Sequence, residues 1–301
     1  MKKVAIYVEH GGMGDVQMAL NCVKSFKHLR PKTHITFLCD KYLLPLAYNN
    51  PNIDECIAFY PEFKELNFDK IYNLSDDVCL EYELKTNPVK KTRMEIFAEV
   101  LKIPKISINP EVYLSKDEKE SIPHLMDINK IDKNKFKIGV ITRAGSYSRI
   151  YSRYEELEDL ISENSQIIVF KGKSIDWSDT EWSKNTRIIE GKSLRELISL
   201  LSVCDIVIGN DTGPMHIASS LNIPTLWLFS HIDGNMRVKE YRNANFIQGI
   251  CGFSPCWYKI KCIVNNNPNT PPCLDNIEPK EIIEKIKTIH NKYKKELICG
   301  D

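Results

Sequence analysis

One stretch constrains the fold more than any other. From Asp205 the chain runs Ile-Val-Ile-Gly, breaks at Asn210-Asp211-Thr212-Gly213, opens a helical pattern at Pro214 and returns from Pro224 as Thr-Leu-Trp-Leu-Phe. A short, uninterrupted apolar run is the signature of a strand covered on both faces. Two such runs joined by one helix form a crossover unit, in which the strands pair in parallel and the helix lies across the sheet. A chain built on this unit is committed to a layered α/β architecture.

The same alternation recurs along the sequence. Lys3 to Glu9 reads as a strand, His10-Gly11-Gly12-Met13-Gly14-Asp15 as a glycine loop, and Val16, Ala19, Leu20, Val23 and Phe26 as a helical face that Pro31 terminates. Further strands are predicted at Ile35 to Cys39, Glu55 to Phe59 and Lys70 to Leu74, with a helix from Thr92 to Leu101. The polar, turn-rich segment from Asp127 to Lys135 interrupts the pattern, which restarts with a strand from Lys137 to Thr142. A helix from Ser152 to Ile161, a strand from Gln166 to Phe170 and a helix from Ser193 to Val203 follow. With 301 residues the chain is long for one core and suits two. The expected division is therefore 1–130 and 131–301, two Rossmann-like, doubly wound domains. A last helix, Glu278 to Leu297, carries Ile282, Ile283, Ile286 and Ile289 on one face. It can pack on its own domain or reach back to the first.

Composition narrows the functional classes. Hydrophobic residues make up 43%, charged residues 27%, and the net charge is +1, so there is no global pull toward nucleic acid. No apolar run approaches the roughly 20 residues of a membrane span, and the opening segment is too short and too soon charged for a signal peptide. A cytoplasmic protein is expected. The lysines on the outer face of the last helix could touch an anionic membrane surface without insertion. Of the ten cysteines, six are scattered through apolar segments as reduced core thiols are, while Cys251, Cys256, Cys262 and Cys273 cluster. Four thiolates could close a structural Zn or Fe site, but no Cys-x-x-Cys pair is present, so packing thiols and a disulfide stay open alternatives.

The chemistry concentrates at two loops. Pro214 sits where a helix begins, and a helix N-terminus offers unpaired N–H groups and a partial positive charge to a diphosphate, with Gly213 admitting its oxygens close to the backbone. Thr212 and His216 would add side-chain bonds, and Asp211, at the carboxyl end of a strand, could accept bonds from sugar hydroxyls. The plainer alternative is that Asp211 or Thr212 caps the helix. Asp-Thr-Gly also marks aspartic proteases, but those need two copies in a β-rich fold. Gly12-x-Gly14-x-x-Gln17 partly imitates a dinucleotide fingerprint but lacks its third glycine, which weakens an NAD-dependent oxidoreductase reading.

These segments resemble glycosyltransferase family 9, the ADP-heptose:lipopolysaccharide heptosyltransferases, in Asp211-Thr-Gly-x-x-His-x-Ala ahead of an x-x-Pro-x-x-x-Leu-Phe strand and in Gly12-x-Gly-Asp-Val16. The resemblance implies the GT-B fold, with two facing Rossmann-like domains around a central cleft, and an inverting, metal-independent transfer that requires no cofactor. It implies ADP-heptose as nucleotide-diphosphate sugar donor, a lipopolysaccharide-core or other glycan or glycolipid as acceptor, and work at the inner face of the inner membrane. Asp15 would be the base for the acceptor hydroxyl. Thr142 with Arg143 or Arg149 would hold the donor phosphates, Arg149 standing where the family usually has lysine. After Phe170 the family often carries a glycine and an acid for the ribose; here Lys171-Gly172-Lys173-Ser174 has no acid. A non-catalytic nucleotide-sugar binding protein or partner subunit would carry the same binding features.

Overall fold

The computed structural model describes residues 2–104, 110–172, 182–183, 185–257 and 271–298. It contains two parallel sheets; one face of the first is covered by the helices Met13–Leu29 and Arg93–Leu101 and the other by the turn around Phe63. In the first half β1 (Lys2–Val8), α1 (Met13–Leu29), β2 (Thr33–Cys39), β3 (Glu55–Ala58), β4 (Lys70–Asn73), α2 (Asp76–Lys85) and α3 (Arg93–Leu101) follow in order. Next come α4 (Lys116–Ile128), β5 (Phe136–Ile141), β6 (Ser165–Phe170), β7 (Arg187–Ile189), α5 (Leu194–Leu201) and β8 (Ile206–Asn210). The chain continues through α6 (Gly213–Ser220), β9 (Thr225–Phe229), α7 (Gly234–Val238), β10 (Ala244–Gln248), α8 (Pro272–Asp275) and α9 (Pro279–Ile298).

Strand order fixes where ligands can bind. The first sheet is ordered β3-β2-β1-β4 and the second β10-β9-β8-β5-β6-β7, with all pairings parallel. In both, the order reverses direction beside the first strand laid down. The loops leaving the two strands on either side of that reversal diverge to opposite faces and open a crevice at the carboxyl edge. In the first sheet the crevice lies between the loops after β1 and β4; in the second, between those after β5 and β8. Both predicted loops thus sit at the one place in their sheet that topology leaves open.

The apolar core does not stop at the boundary between sheets. A single buried cluster runs from Val4, Ile6 and Phe37 of the first sheet through Val16 and Leu20 of α1 to Met215 and Ile217 of α6, Ile141, Ile168 and Trp227. A second cluster covers the other face of the second sheet, with Ile138, Val140, Tyr151, Tyr154, Ile206 and Leu226. Ile282, Ile283, Ile286 and Ile289 of α9 belong to this second cluster. These four isoleucines of the last helix therefore bury their apolar face on the second sheet. The segment from Ser152 to Ile161 is also shorter and tighter than a helix, a 3-10 stretch at Glu155–Leu160.

Candidate functional site

The site is assembled where α1 and α6 pack against each other through their first turns. Gly12 is the N-cap of α1 in extended backbone, so the helix opens at Met13 and Asp15 occupies its third position. Asp15 is therefore inside the first turn, where its Oδ2 accepts the Gly12 N–H at 2.9 Å. Across the gap, Thr212 is the N-cap of α6 and makes no side-chain cap bond, and Pro214 stands at the start as expected. The plainer reading of Thr212 as a capping hydroxyl is thus absent, and the residues from Thr212 to Pro214 stay half-buried.

Two glycines permit this contact. A Cβ on Gly14 would come within 2.7 Å of the His216 ring, and one on Gly213 within 2.5 Å of Met13 Cβ. Met13 covers part of the α6 end, so the open part of the crevice lies toward Arg149 and Asp211. His216 is buried at 3% exposure, with Nδ1 2.7 Å from the Tyr241 hydroxyl and its ring edge-on to Trp227. Burial lowers its pKa to about 4, more than the nearby Asp211 charge can offset, so the imidazole is neutral at physiological pH.

Asp211 lies at the carboxyl edge of the second sheet, 4% exposed, between two guanidinium groups. Arg149 Nη1 is 3.8 Å from its Oδ2 and donates to its backbone carbonyl at 3.1 Å; Arg237 Nε is 3.7 Å from its Oδ1. Burial pulls its pKa upward, but Arg237 and Arg149 outweigh it and the carboxyl stays below its ordinary value. Asp211 Oδ2 and Arg149 Nε are both buried without a hydrogen-bond partner. Both atoms have hydrogen-bonding capacity that the protein itself does not use. Asn210 holds the loop still: its Oδ1 accepts from the Tyr151 N–H and the Tyr154 hydroxyl, and its Nδ2 donates to the Thr142 carbonyl at 2.9 Å.

The structure brings Gly12, Gly14, Asp15, Arg149, Asp211, Thr212, Gly213 and His216 to the facing crevices, with Thr142 beneath them at the end of β5. Arg143 points elsewhere, donating from Nη1 to the Gly172 carbonyl at 2.7 Å. Lys173 and Ser174 lie outside the described residues. So does Cys262, and among the described residues no group of three His, Cys, Asp or Glu side chains converges as metal ligands would. The Cys251 thiol contacts that of Cys273 and accepts from the Phe253 and Ser254 N–H groups, which together outweigh its partial burial and lower its pKa. Cys256 is half-buried and reduced.

Sequence reasoning missed several residues that shape the site. Arg93, 6% exposed at the start of α3, bonds Asp15 Oδ1 at 2.6 Å although 78 positions away. Asp76, Arg237 and His231 reach the same crevices from α2, α7 and the end of β9. No spacing or motif announces a charged residue whose partners are supplied by other elements.

Comparison with known proteins agrees with this geometry. Residues 70–250 match the family model described as Glycosyltransferase family 9 (heptosyltransferase). The lipopolysaccharide core heptosyltransferase OpsX of Haemophilus influenzae is 20% identical, over 79% of this chain and 82% of that protein. Among solved structures, ADP-heptose lps heptosyltransferase II of E. coli superposes with a TM-score of 0.72 at 17% identity, covering 98% of this chain and 100% of its own. The glycosyl transferase family 9 structure from Veillonella parvula gives 0.77 at 16% identity, covering 97% and 98%. With its paired parallel sheets in the GT-B arrangement, the chain belongs to glycosyltransferase family 9.

Proposed function

We propose that this glycosyltransferase moves a heptose from ADP-heptose to a lipopolysaccharide-core or related surface-glycan acceptor, with inversion at the anomeric carbon. The observation that carries the reading is the opposition of the two crevices, an ionised Asp15 on one side and Asp211 flanked by Arg149 and Arg237 on the other. Names of relatives that act on lipopolysaccharide and, in one case, on ADP-heptose supply the substrate classes.

In this reading the donor diphosphate lies at the open part of the α6 N-terminus, held by its amides, the Thr212 hydroxyl and Arg149. Asp211 accepts from sugar hydroxyls through Oδ2, which makes no hydrogen bond within the protein. Thr142 supports the loop. Arg143 spans to the neighbouring loop, so Arg149 is the better placed phosphate partner. His216 acts by fixing α1 against α6. As the acceptor oxygen bonds to the anomeric carbon, the bond from that carbon to the diphosphate oxygen breaks and its electrons leave with the nucleotide. The acceptor proton passes to Asp15. The charge on the leaving diphosphate is met by groups already in place, which is where such sites gain most of their rate. No metal or cofactor takes part in this scheme.

Replacing Asp15 with Ala should leave donor affinity within about twofold and reduce transfer by a factor of 100 or more, as loss of a general base does. Transfer at the wild-type rate would remove Asp15 from the reaction, and donor binding without consumption by wild-type protein on any acceptor would mark the chain as a binding protein. A panel of nucleotide sugars, read by thermal stabilisation, identifies the donor. Among the described residues no helix is long and apolar enough to cross a membrane. We assign the approach to a membrane-borne acceptor to the exposed Lys280, Lys285, Lys287 and Lys292 of α9, on the cytoplasmic face of the membrane. Co-sedimentation with anionic but not neutral vesicles, lost at high salt, tests this.

A further inference from the structure

Asp15 does not stand alone in its crevice. The Arg93 guanidinium presents Nε and Nη2 to the two oxygens of Glu83 at 2.9 and 2.8 Å, a bidentate clamp between α3 and α2 with both residues buried. The clamp fixes the plane of the guanidinium and leaves Nη1 directed at the crevice. There it donates to Asp15 Oδ1 at 2.6 Å and also to Asp76 Oδ1. Two carboxylates from different helices thus share one nitrogen.

The backbone ties the same elements together. The Asp76 N–H donates to the His10 carbonyl at 2.7 Å, and the Glu9 N–H to the Ser75 hydroxyl at 2.8 Å, so the start of α2 is pinned to the loop that leads into α1 and Asp15. These are the two loops on either side of the strand reversal in the first sheet.

We propose that Arg93 is a positioning residue for sugar transfer: clamped by Glu83, it fixes the Asp15 carboxylate at the crevice, while Asp76 competes for the same nitrogen and sets how tightly Asp15 can hold a proton. The inference rests on Asp15 being the base. An arginine given wholly to one carboxylate would make that carboxylate a poor proton acceptor, since the cation stabilises the ionised form. Sharing the cation with a second acid moderates the effect. Around Asp15 the charged and titratable groups are Arg93 from α3, Asp76, Cys79 and Glu83 from α2, His216 from α6 and Arg237 from α7. Burial would raise the Asp15 pKa, but Arg93, the Gly12 N–H and Arg237 outweigh it; Asp76 is raised, by burial and by Asp15. The two acids are therefore displaced in opposite directions, Asp15 below and Asp76 above the ordinary carboxylate value.

The test is the pH dependence of kcat and kcat/KM for the full-length protein, with donor Kd measured alongside. Asp76→Asn should shift the acidic limb to lower pH by about half a unit or more, and lower the plateau kcat several-fold with donor Kd unchanged. Arg93→Lys, which cannot hold Glu83 bidentately, should move the limb to higher pH and lower kcat more than it changes KM. If Arg93→Lys fails to fold, Asp76→Asn, partly exposed, decides alone. An unshifted profile and wild-type kcat in Asp76→Asn overturn the proposal while an inactive Asp15→Ala leaves the base itself standing. An active Asp15→Ala overturns both.

Discussion

At the scale of single residues, the contact of Gly14 with His216 joins the two halves of the site through the absence of a side chain. A methyl at Gly14 would press on the imidazole at 2.7 Å, and the ring has Trp227 and Tyr241 against it, so it has little room to yield. Gly14→Ala should cost about 1 to 3 kcal/mol, the usual range for overpacking, and be seen as a lower Tm and weaker donor binding. Gly252→Ala, where nothing lies within 4 Å, is the matched control and should be neutral. Equal Tm values for the two variants would show that the junction is looser than the geometry implies. His216 and His231 also make an acid-side prediction. Both have pKa values lowered to about 4, chiefly by burial, so between pH 6.5 and 4 the unfolded chain takes up protons that the folded one refuses. Stability should fall as pH drops through that window, by up to about 1.4 kcal/mol per pH unit for each histidine. Asp15 and Asp211, with lowered pKa values, add losses only below pH 4. Urea midpoints at pH 7 and 5 test this; His216→Asn should flatten the slope.

At the scale of elements, β1 to β6, β8 and β9 were legible because each is a short run with apolar residues, and α1, α3 and α5 because their apolar residues recur at helical spacing; β7 and β10 escaped, β7 as only Arg-Ile-Ile and β10 as the half-polar Ala-Asn-Phe-Ile-Gln. What escaped is instructive in physical terms. α2 buries Cys79 and Glu83, and a buried glutamate breaks the apolar pattern that periodicity looks for; its reason, Arg93, lies in another helix. α4 buries no residue fully and carries Pro123 inside it, so it presents neither a stripe nor an uninterrupted helical sequence. It is assigned no element from sequence alone. Its position is set by Arg195 of α5, which donates to Glu118 at 2.6 and 2.5 Å, to the Pro45 carbonyl at 2.9 Å and to the Tyr113 carbonyl at 2.6 Å. One side chain therefore joins α5 and α4 to the turn at Pro45 and to the segment that precedes α4. Arg195→Met keeps the apolar stem and removes every one of these bonds, so it should destabilise by about 2 to 4 kcal/mol. Limited proteolysis should then cut near α4 before the sheets; a cleavage pattern like the wild type would show that apolar contacts alone hold that helix.

At the scale of the whole molecule, the two sheets and the polar, turn-rich segment from Asp127 to Lys135 invite the expectation of two independent folding units. The core argues for stronger coupling. One apolar cluster passes from the first sheet through α1 and α6 into the second, and polar ties cross the same junction: Thr92 Oγ1 to Glu240 at 2.6 Å and Lys239 to Glu95 at 2.8 Å. Domain interfaces that open freely are more polar and less extensive than a shared core. Unfolding one half would expose α1 or α6 apolar surface at about 25 cal/mol per Å², a cost that favours losing both together. Calorimetry should accordingly show one transition, with calorimetric and van't Hoff enthalpies in agreement. ADP at 100 times its Kd should raise that transition as a whole, since it adds about 2.7 kcal/mol to the folded state. The discriminating variant is Met13→Ala, which removes the side chain that lies against Gly213 at the junction of α1 and α6. If the halves are coupled as the packing requires, it lowers the single transition without splitting it. Two separated peaks in wild type, with ADP moving only the one that holds Asp211, would instead make the crevice the meeting of two autonomous domains.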